Sequence, residues 1–297
     1  MRFIKRIVLF VLVNFAILIV LGIVMSVFGV QPYLTSYGLN LKSLLIFAAI
    51  IGFAGSFLSL FLSKVMARWM MKVRIIKSPS NNEESLLVEV IRSIAKKLEI
   101  KTPEVGIYPS AEVNAFATGW SQNHSMVAVS EGLLREMDRD EIEGVLAHEM
   151  AHIANGDMVT MALLQGVLNT FVIFFARVAA FLLQRLISDR EEVGGISYWI
   201  TSILFEIVFA VLATIVIAWF SRKREFRADH GGAEFVGKAK MIAGLQRLQE
   251  LTARVDTRQK SLATLKISDK PSKMGLLFST HPPLSDRIEA LEKASLS

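Results

Sequence analysis

Twenty-four consecutive residues, Ile7 to Val30, carry no charge. As a helix rising about 1.5 Å per residue, such a run exceeds the roughly 30 Å hydrocarbon core of a bilayer. A second uncharged run, Leu44 to Leu62, is 19 residues long and has the same capacity. Arg2, Lys5 and Arg6 precede the first run, and Lys64, Arg68, Lys72 and Arg74 follow the second. The connection between them carries only Lys42. Cationic loops stay on the cytoplasmic side, so both ends of this hairpin are expected there. The first run is too long for the apolar part of a signal peptide. Ser26-Val27-Phe28 is also a poor cleavage site, so an uncleaved anchor is expected.

Two further apolar stretches come later. Met158 to Leu183 carries one charge, Arg177, and Ile196 to Phe220 carries one, Glu206. Arg222-Lys223-Arg224 follows, which suits a second hairpin with its tip outside. A carboxylate at mid-span is costly against lipid, so Glu206 is expected to face another helix, near Arg177, or a wet cavity. The composition agrees with membrane residence and lipid contact: 53% hydrophobic residues and a mean hydropathy of +0.46. In that setting the net charge of +6 is read as anchoring charge, and no nucleic-acid partner is expected. The chain has no Cys, which excludes disulfides, thiolate metal sites and a cysteine nucleophile.

The pattern divides the chain into 1–71, an amino-terminal transmembrane hairpin; 72–157, a first soluble piece; 158–220, a second hydrophobic hairpin; and 221–297, a second soluble piece. Within the first soluble piece, Glu83 to Leu98 has helical apolar spacing. Val105–Tyr108 and Met126–Val129 read as short strands. Asn114 to Gly119 lies between them, either as an edge strand able to take an extended peptide or as an ordinary loop.

His148-Glu149-Met150-Ala151-His152 carries the chemistry. On a helix the two imidazoles sit one turn apart on one face and converge on one metal ion, and Glu149 lies beside them as a base for a water. Zn²⁺ suits two imidazoles, one further protein ligand and an open position. The flanks favour a helix. Asp138 or Asp140 offers an N-cap, Val145, Leu146, Met150 and Ile153 are apolar, and Asn155-Gly156-Asp157 offers a stop. The third ligand is sought in Ser221 to His230, where Glu225 and Asp229 lie four apart. Glu225 can complete the coordination, and Asp229 can accept the other ring N–H of a ligating His. A charged helix face with Glu225 paired to Arg222 is the competing reading. His124 reads as a polar turn residue, and His230 points elsewhere on its helix.

His-Glu-x-x-His, an apolar hairpin and then Ser-Arg-x-x-Glu-Phe-x-Ala-Asp together resemble the HtpX family of membrane zinc proteases, with the CAAX prenyl endopeptidases as more distant relatives. The resemblance extends to Asn114-Ala115-Phe116-Ala117 and to His281-Pro282-Pro283-Leu284 with Arg287. It implies a mainly α integral membrane protein with about four transmembrane helices and a cytoplasmic zincin-like α+β metalloprotease domain. It implies His148, His152 and Glu225 as ligands of one Zn²⁺ per chain, Glu149 as catalytic base, and Asp229 behind a ligand. His281 is implied near the reacting carbonyl as a catalytic residue, with Asn114, Ala115, Phe116 and Arg287 as substrate-binding residues. The expected role is cleavage of misfolded or damaged membrane proteins in stress-linked quality control at the bacterial inner membrane. The alternatives are a prenyl-peptide endopeptidase, which needs a larger enclosed chamber, or a membrane scaffold or chaperone with a metal site. A protease of this kind is also expected to cut itself in detergent between Lys260 and Met274, a polar stretch without an apolar stripe.

The orientation is open to direct measurement, because the native chain offers no thiol. Single cysteines at Tyr33 and Glu191 should react with an impermeant thiol reagent from outside the cell, and one at Ser121 should not. Outside labelling of position 121 would overturn the orientation.

Overall fold

The computed structural model describes residues 33–35, 38–187, 195–259 and 277–295. The uncharged run Ile7 to Val30, the expected hairpin tip at Glu191 and the segment Lys260 to Met274 lie outside the described residues. A short antiparallel ribbon, β1 (Leu34–Thr35) and β2 (Gly38–Leu39), precedes helix α1 (Leu41–Met70). Then come β3 (Arg74–Ile75), α2 (Asn82–Lys97), β4 (Glu104–Tyr108), β5 (Ala115–Ser121) and β6 (His124–Ser130). Seven-residue β5 and β6 form a hairpin and lead into α3 (Glu131–Glu136) and α4 (Arg139–Ala154). The long helices α5 (Asp157–Ile187) and α6 (Gly195–Val236) follow, then α7 (Lys238–Gln259) and α8 (Leu284–Lys293).

Among the described residues three helices, α1, α5 and α6, are long and apolar enough to cross a membrane. The chain clusters into two units. One comprises residues 1–57 and 163–213, the other 58–162 and 214–297. Helix α6 runs unbroken for 42 residues, so the expected boundary between 220 and 221 falls inside a helix. The turn at Asn155-Gly156 separates α4 from α5. The physical reason is continuity of backbone hydrogen bonding: nothing at Phe220-Ser221 breaks a helix, whereas Gly156 adopts φ +65°.

In the first unit the helices pack through small residues. A Cβ placed on Gly52 would lie 2.7 Å from the Thr170 backbone nitrogen, so only glycine permits this approach. Glu206 meets Arg177 at 2.7 Å, as the cost of an unpaired mid-span carboxylate demands. The Arg177 guanidinium also lies over the Trp199 ring, 4.9 Å from its centre.

The second unit holds a four-stranded sheet in the order β3-β4-β6-β5. β4 and β6 run parallel, and β5 pairs antiparallel with β6, with Ala115 opposite Val129 and Phe116 opposite Ala128. β4 and β6 are nearly continuous buried runs of Val, Ile, Met and Ala, as central strands covered on both faces must be. The sequence expectation of strands at 105–108 and 126–129 is met with extended ends. The segment at Asn114 to Gly119 becomes edge strand β5 rather than a loop. The two-residue strand β3 carries too little pattern to be seen in the sequence. His124 opens β6 instead of sitting in the turn, and its ring stacks on Trp120 at 4.1 Å.

Helix α4 lies at the centre of the main core. Leu146, Met150 and Ile153 are fully buried with Ile91, Val127 and Leu133. Each such side chain contributes about 1.5–3 kcal/mol on burial. On its other side α4 meets α7 at Gly144, where a Cβ would come within 2.2 Å of the Lys240 carbonyl oxygen. Lys240 also bonds Glu143 at 2.5 Å and Asp140 at 3.1 Å. Gly144→Ala should therefore force the two helices apart and cost about 1–3 kcal/mol, the usual penalty of overpacking. The expected readout is a lower urea midpoint with an unchanged slope. An unchanged midpoint would mean that this approach is not tight in solution.

Candidate metal centre

Helix α4 is fixed at both ends. The Asp138 side chain accepts from the Glu141 backbone N–H at 2.9 Å, and Glu141 accepts from the Asp138 N–H at 2.9 Å. This reciprocal box selects Asp138 over Asp140 as the cap. The helix phase then follows, because its apolar residues must enter the core. That phase turns His148, Glu149 and His152 towards a cleft of about 560 Å³, which Asn114, Ala115 and Phe116 also line.

The two imidazoles point their Nε2 atoms at one another, 3.1 Å apart. Glu225 enters from α6 and places Oε1 3.3 Å from His152 Nε2 and Oε2 3.5 Å from His148 Nε2. Among the described residues these three are the group whose ligand atoms all fall within 4.8 Å of one another. Ligands about 2.0–2.1 Å from a tetrahedral zinc stand roughly 3.3 Å apart, which is the spacing found here. The donor set therefore fits a metal ion.

Both ring tautomers are set from behind. His148 Nδ1 lies 2.9 Å from Asp229 Oδ1, and His152 Nδ1 lies 2.6 Å from Asp157 Oδ2. With the protons held at Nδ1 by carboxylates, the Nε2 lone pairs are left for the shared centre. Asp229 is clamped in turn by Arg287, whose Nε and Nη2 donate at 2.8 and 2.6 Å. Arg227 donates to the other oxygen of Asp157 at 2.6 Å. Asp157, Glu225 and Asp229 are each 1% exposed. Burial disfavours a charged His152, yet the Asp157 and Glu225 carboxylates outweigh it and raise its pKa to about 9. Burial equally disfavours ionised Glu225, and the surrounding His148, His152 and His281 rings hold it well below the carboxylate range. Both shifts have one cause, the pairing of the rings with the buried carboxylates.

The sequence-expected residues are placed as follows. His148, Glu149, His152, Glu225, His281, Arg287, Asn114, Ala115 and Phe116 all line the one cleft. His281 bonds Glu225 Oε2 through Nδ1 at 2.7 Å, while most of its side chain is exposed. Arg287 is 5% exposed and bound to Asp229, so its guanidinium serves the site's frame as much as its mouth. Arg222 does not pair with Glu225. It donates to the backbone oxygen of Ser279 at 2.7 Å and so ties down the segment that carries His281. His230 is half-exposed and faces Glu234. Sequence reasoning missed Asp157 and Arg227. Asp157 was read only as a helix stop, although a carboxylate five residues beyond the second His was a signal in plain view.

A buried helix presenting two imidazoles and a carboxylate to a cleft, an edge strand beside it and apolar helices in the same chain define a membrane-associated metallopeptidase. The chain belongs to peptidase family M48, whose family model matches residues 81–295. It is 50% identical to a "Protease HtpX homolog" of Thiobacillus denitrificans over 97% of this chain and 98% of that protein. It is 52% identical to "Protease HtpX" of Hydrogenovibrio crunogenus, covering 97% and 96%. It is also 52% identical to a "Protease HtpX homolog" of Bacillus licheniformis, covering 97% and 99%. The fold is similar to the crystal structure of S. mikatae Ste24p, with a TM-score of 0.65 at 18% identity. That match covers 97% of this chain and 65% of that one. The protein is thus a multi-pass membrane metalloprotease.

Asp157→Asn should lower metal affinity about 10- to 100-fold, the usual effect of losing an outer partner of a ligating His. Glu143→Gln, on the α7 side of the same helix, should leave it unchanged. Competition with a chromogenic chelator measures both. Equal affinities for the two variants would remove Asp157 from the site.

Proposed function

We propose that the protein is a zinc endopeptidase in which His148, His152 and Glu225 hold the ion and Glu149 acts as general base. The observation that carries this reading is the close approach of the three donor groups: the two Nε2 atoms lie 3.1 Å apart, and the two Glu225 oxygens lie 3.3 and 3.5 Å from them. Zinc bound there would supply Lewis acidity to a water and to the substrate carbonyl. Glu149 lines the same cleft, half-buried, and is placed to take the attacking water's proton and hand it to the leaving amine. Direct attack by water needs no acyl-enzyme, which fits a chain without Cys. His281 stands at the exposed edge of the cleft and is assigned to hydrogen-bond the carbonyl oxygen as charge develops. Arg287 and Asp229 hold His148, and Arg227 and Asp157 hold His152.

Substrate binding is assigned to Asn114, Ala115 and Phe116. β5 is the sheet's edge, so one side of its backbone has no strand partner in the sheet, and an extended peptide can add there while facing Glu149. The division into 1–71, 72–157, 158–220 and 221–297 is retained as the functional plan: one apolar hairpin ahead of the protease domain and a second interrupting it. Basic residues at Lys64 to Arg74 and Arg222 to Arg224 support a cytoplasmic active site in the bacterial inner membrane. Misfolded or damaged membrane proteins are the proposed substrates.

Glu149→Gln should retain stoichiometric zinc and lose casein cleavage by at least about 100-fold, since general-base catalysis contributes 10²–10⁴. Glu225→Ala should lose zinc as well as activity. Near-native cleavage by Glu149→Gln would overturn the mechanism, and full zinc occupancy in Glu225→Ala at low free zinc would overturn the ligand set.

A further inference from the structure

A second cleft of about 360 Å³ lies in the protease unit, lined by the polar end of α1, the β3–α2 connection, α2 and β4. Arg68, Lys77 and Arg92 contribute its charge, each is exposed, and none forms an ion pair with a described carboxylate. The acidic residue at its wall, Glu104, is taken by Lys64 at 2.7 Å. Three cations from three different elements therefore line one concavity, against a single carboxylate, Glu104, that already has a partner.

Helix α1 says what the partner is. Phe61, Val65 and Arg68 fall on one stripe of the helix, at spacings of four and three. Phe61 and Val65 are 60% and 64% exposed, and Trp69 beside Arg68 is 73% exposed. Phe61 belongs to the uncharged run that ends at Leu62, and about 10 Å of helix separates it from Arg68. One ligand meeting both ends must be apolar along Phe61 and Val65 and anionic at Arg68. A free phosphate satisfies only the second condition. Ile76, Val88 and Pro103 in the cleft add apolar wall that a small inorganic anion does not use.

We propose that this cleft binds the headgroup of an anionic phospholipid, its phosphate between Arg68, Lys77 and Arg92 and its acyl chains along Phe61 and Val65. Basic pockets beside membrane helices take such headgroups, and each cation near the surface strengthens the attraction several-fold. The inference does not depend on the zinc site.

The test uses the full chain with Glu149→Gln, which prevents self-digestion, in neutral detergent. Native mass spectrometry reads lipid adducts while phosphatidylglycerol or phosphatidylcholine is titrated. Phosphatidylglycerol should be retained at least tenfold more strongly than phosphatidylcholine. Arg68→Gln, Lys77→Gln and Arg92→Gln should each lower its apparent affinity about fivefold, and Arg68→Lys should retain most of it. Arg135→Gln, an exposed cation on α3, should change nothing. Unfolding midpoints equal to the parent's identify the variants to be scored. The proposal is overturned if the three cleft variants bind like Arg135→Gln, if phosphatidylcholine binds as well, or if inorganic phosphate displaces the lipid at equal concentration.

Discussion

Glu225 reaches two imidazole nitrogens from another helix while only 1% exposed, and the remaining geometry follows from that burial. An isolated buried carboxylate is costly by several kcal/mol, and so are Asp157 and Asp229 behind the rings. The structure answers with alternating charge: Arg227 on Asp157, Arg287 on Asp229, and the His148 and His152 rings between the carboxylates. Each ring is held on two sides, so neither can rotate without giving up a contact with a buried carboxylate. The site is rigid because its charges cannot be satisfied in another arrangement.

That requirement explains the architecture of the protease unit. The three groups that could hold a metal come from α4 and α6, and their supports come from the start of α5, from α6 and from α8. These elements must be brought together with sub-ångström consistency, and the packing of α4 does this. Its apolar face is locked into the sheet core, and Gly144 lets α7 approach its other side. Edge strand β5 is left beside the cleft with one side of its backbone free of strand partners in the sheet.

Apolar helices and protease share residues without a linker. α1, α5 and α6 each contribute to both units. A mid-helix change from apolar to charged residues, as at Phe220-Ser221-Arg222, therefore marks a change of surroundings rather than of secondary structure. This is why charge and hydropathy divide the sequence at 220 while the helix itself continues to Val236.

The sequence alone determined whatever is local or periodic. The uncharged run Leu44 to Leu62 and the two later apolar stretches marked α1, α5 and α6, the i, i+4 spacing of His148 and His152 placed both rings on one face, and Asp138 or Asp140 marked the start of α4. The four-residue spacing of Glu225 and Asp229 was equally legible, because helical geometry converts it directly into a shared face. Tertiary structure alone decided that Glu225 meets the two rings rather than Arg222. It also decided that Asp157, outwardly a helix stop, fixes His152, and that Arg287 clamps Asp229. These pairings join positions 58 to 77 residues apart or turn on the path between two helices. Sequence spacing does not encode such distances, because they arise only once burial has forced every carboxylate to find a partner.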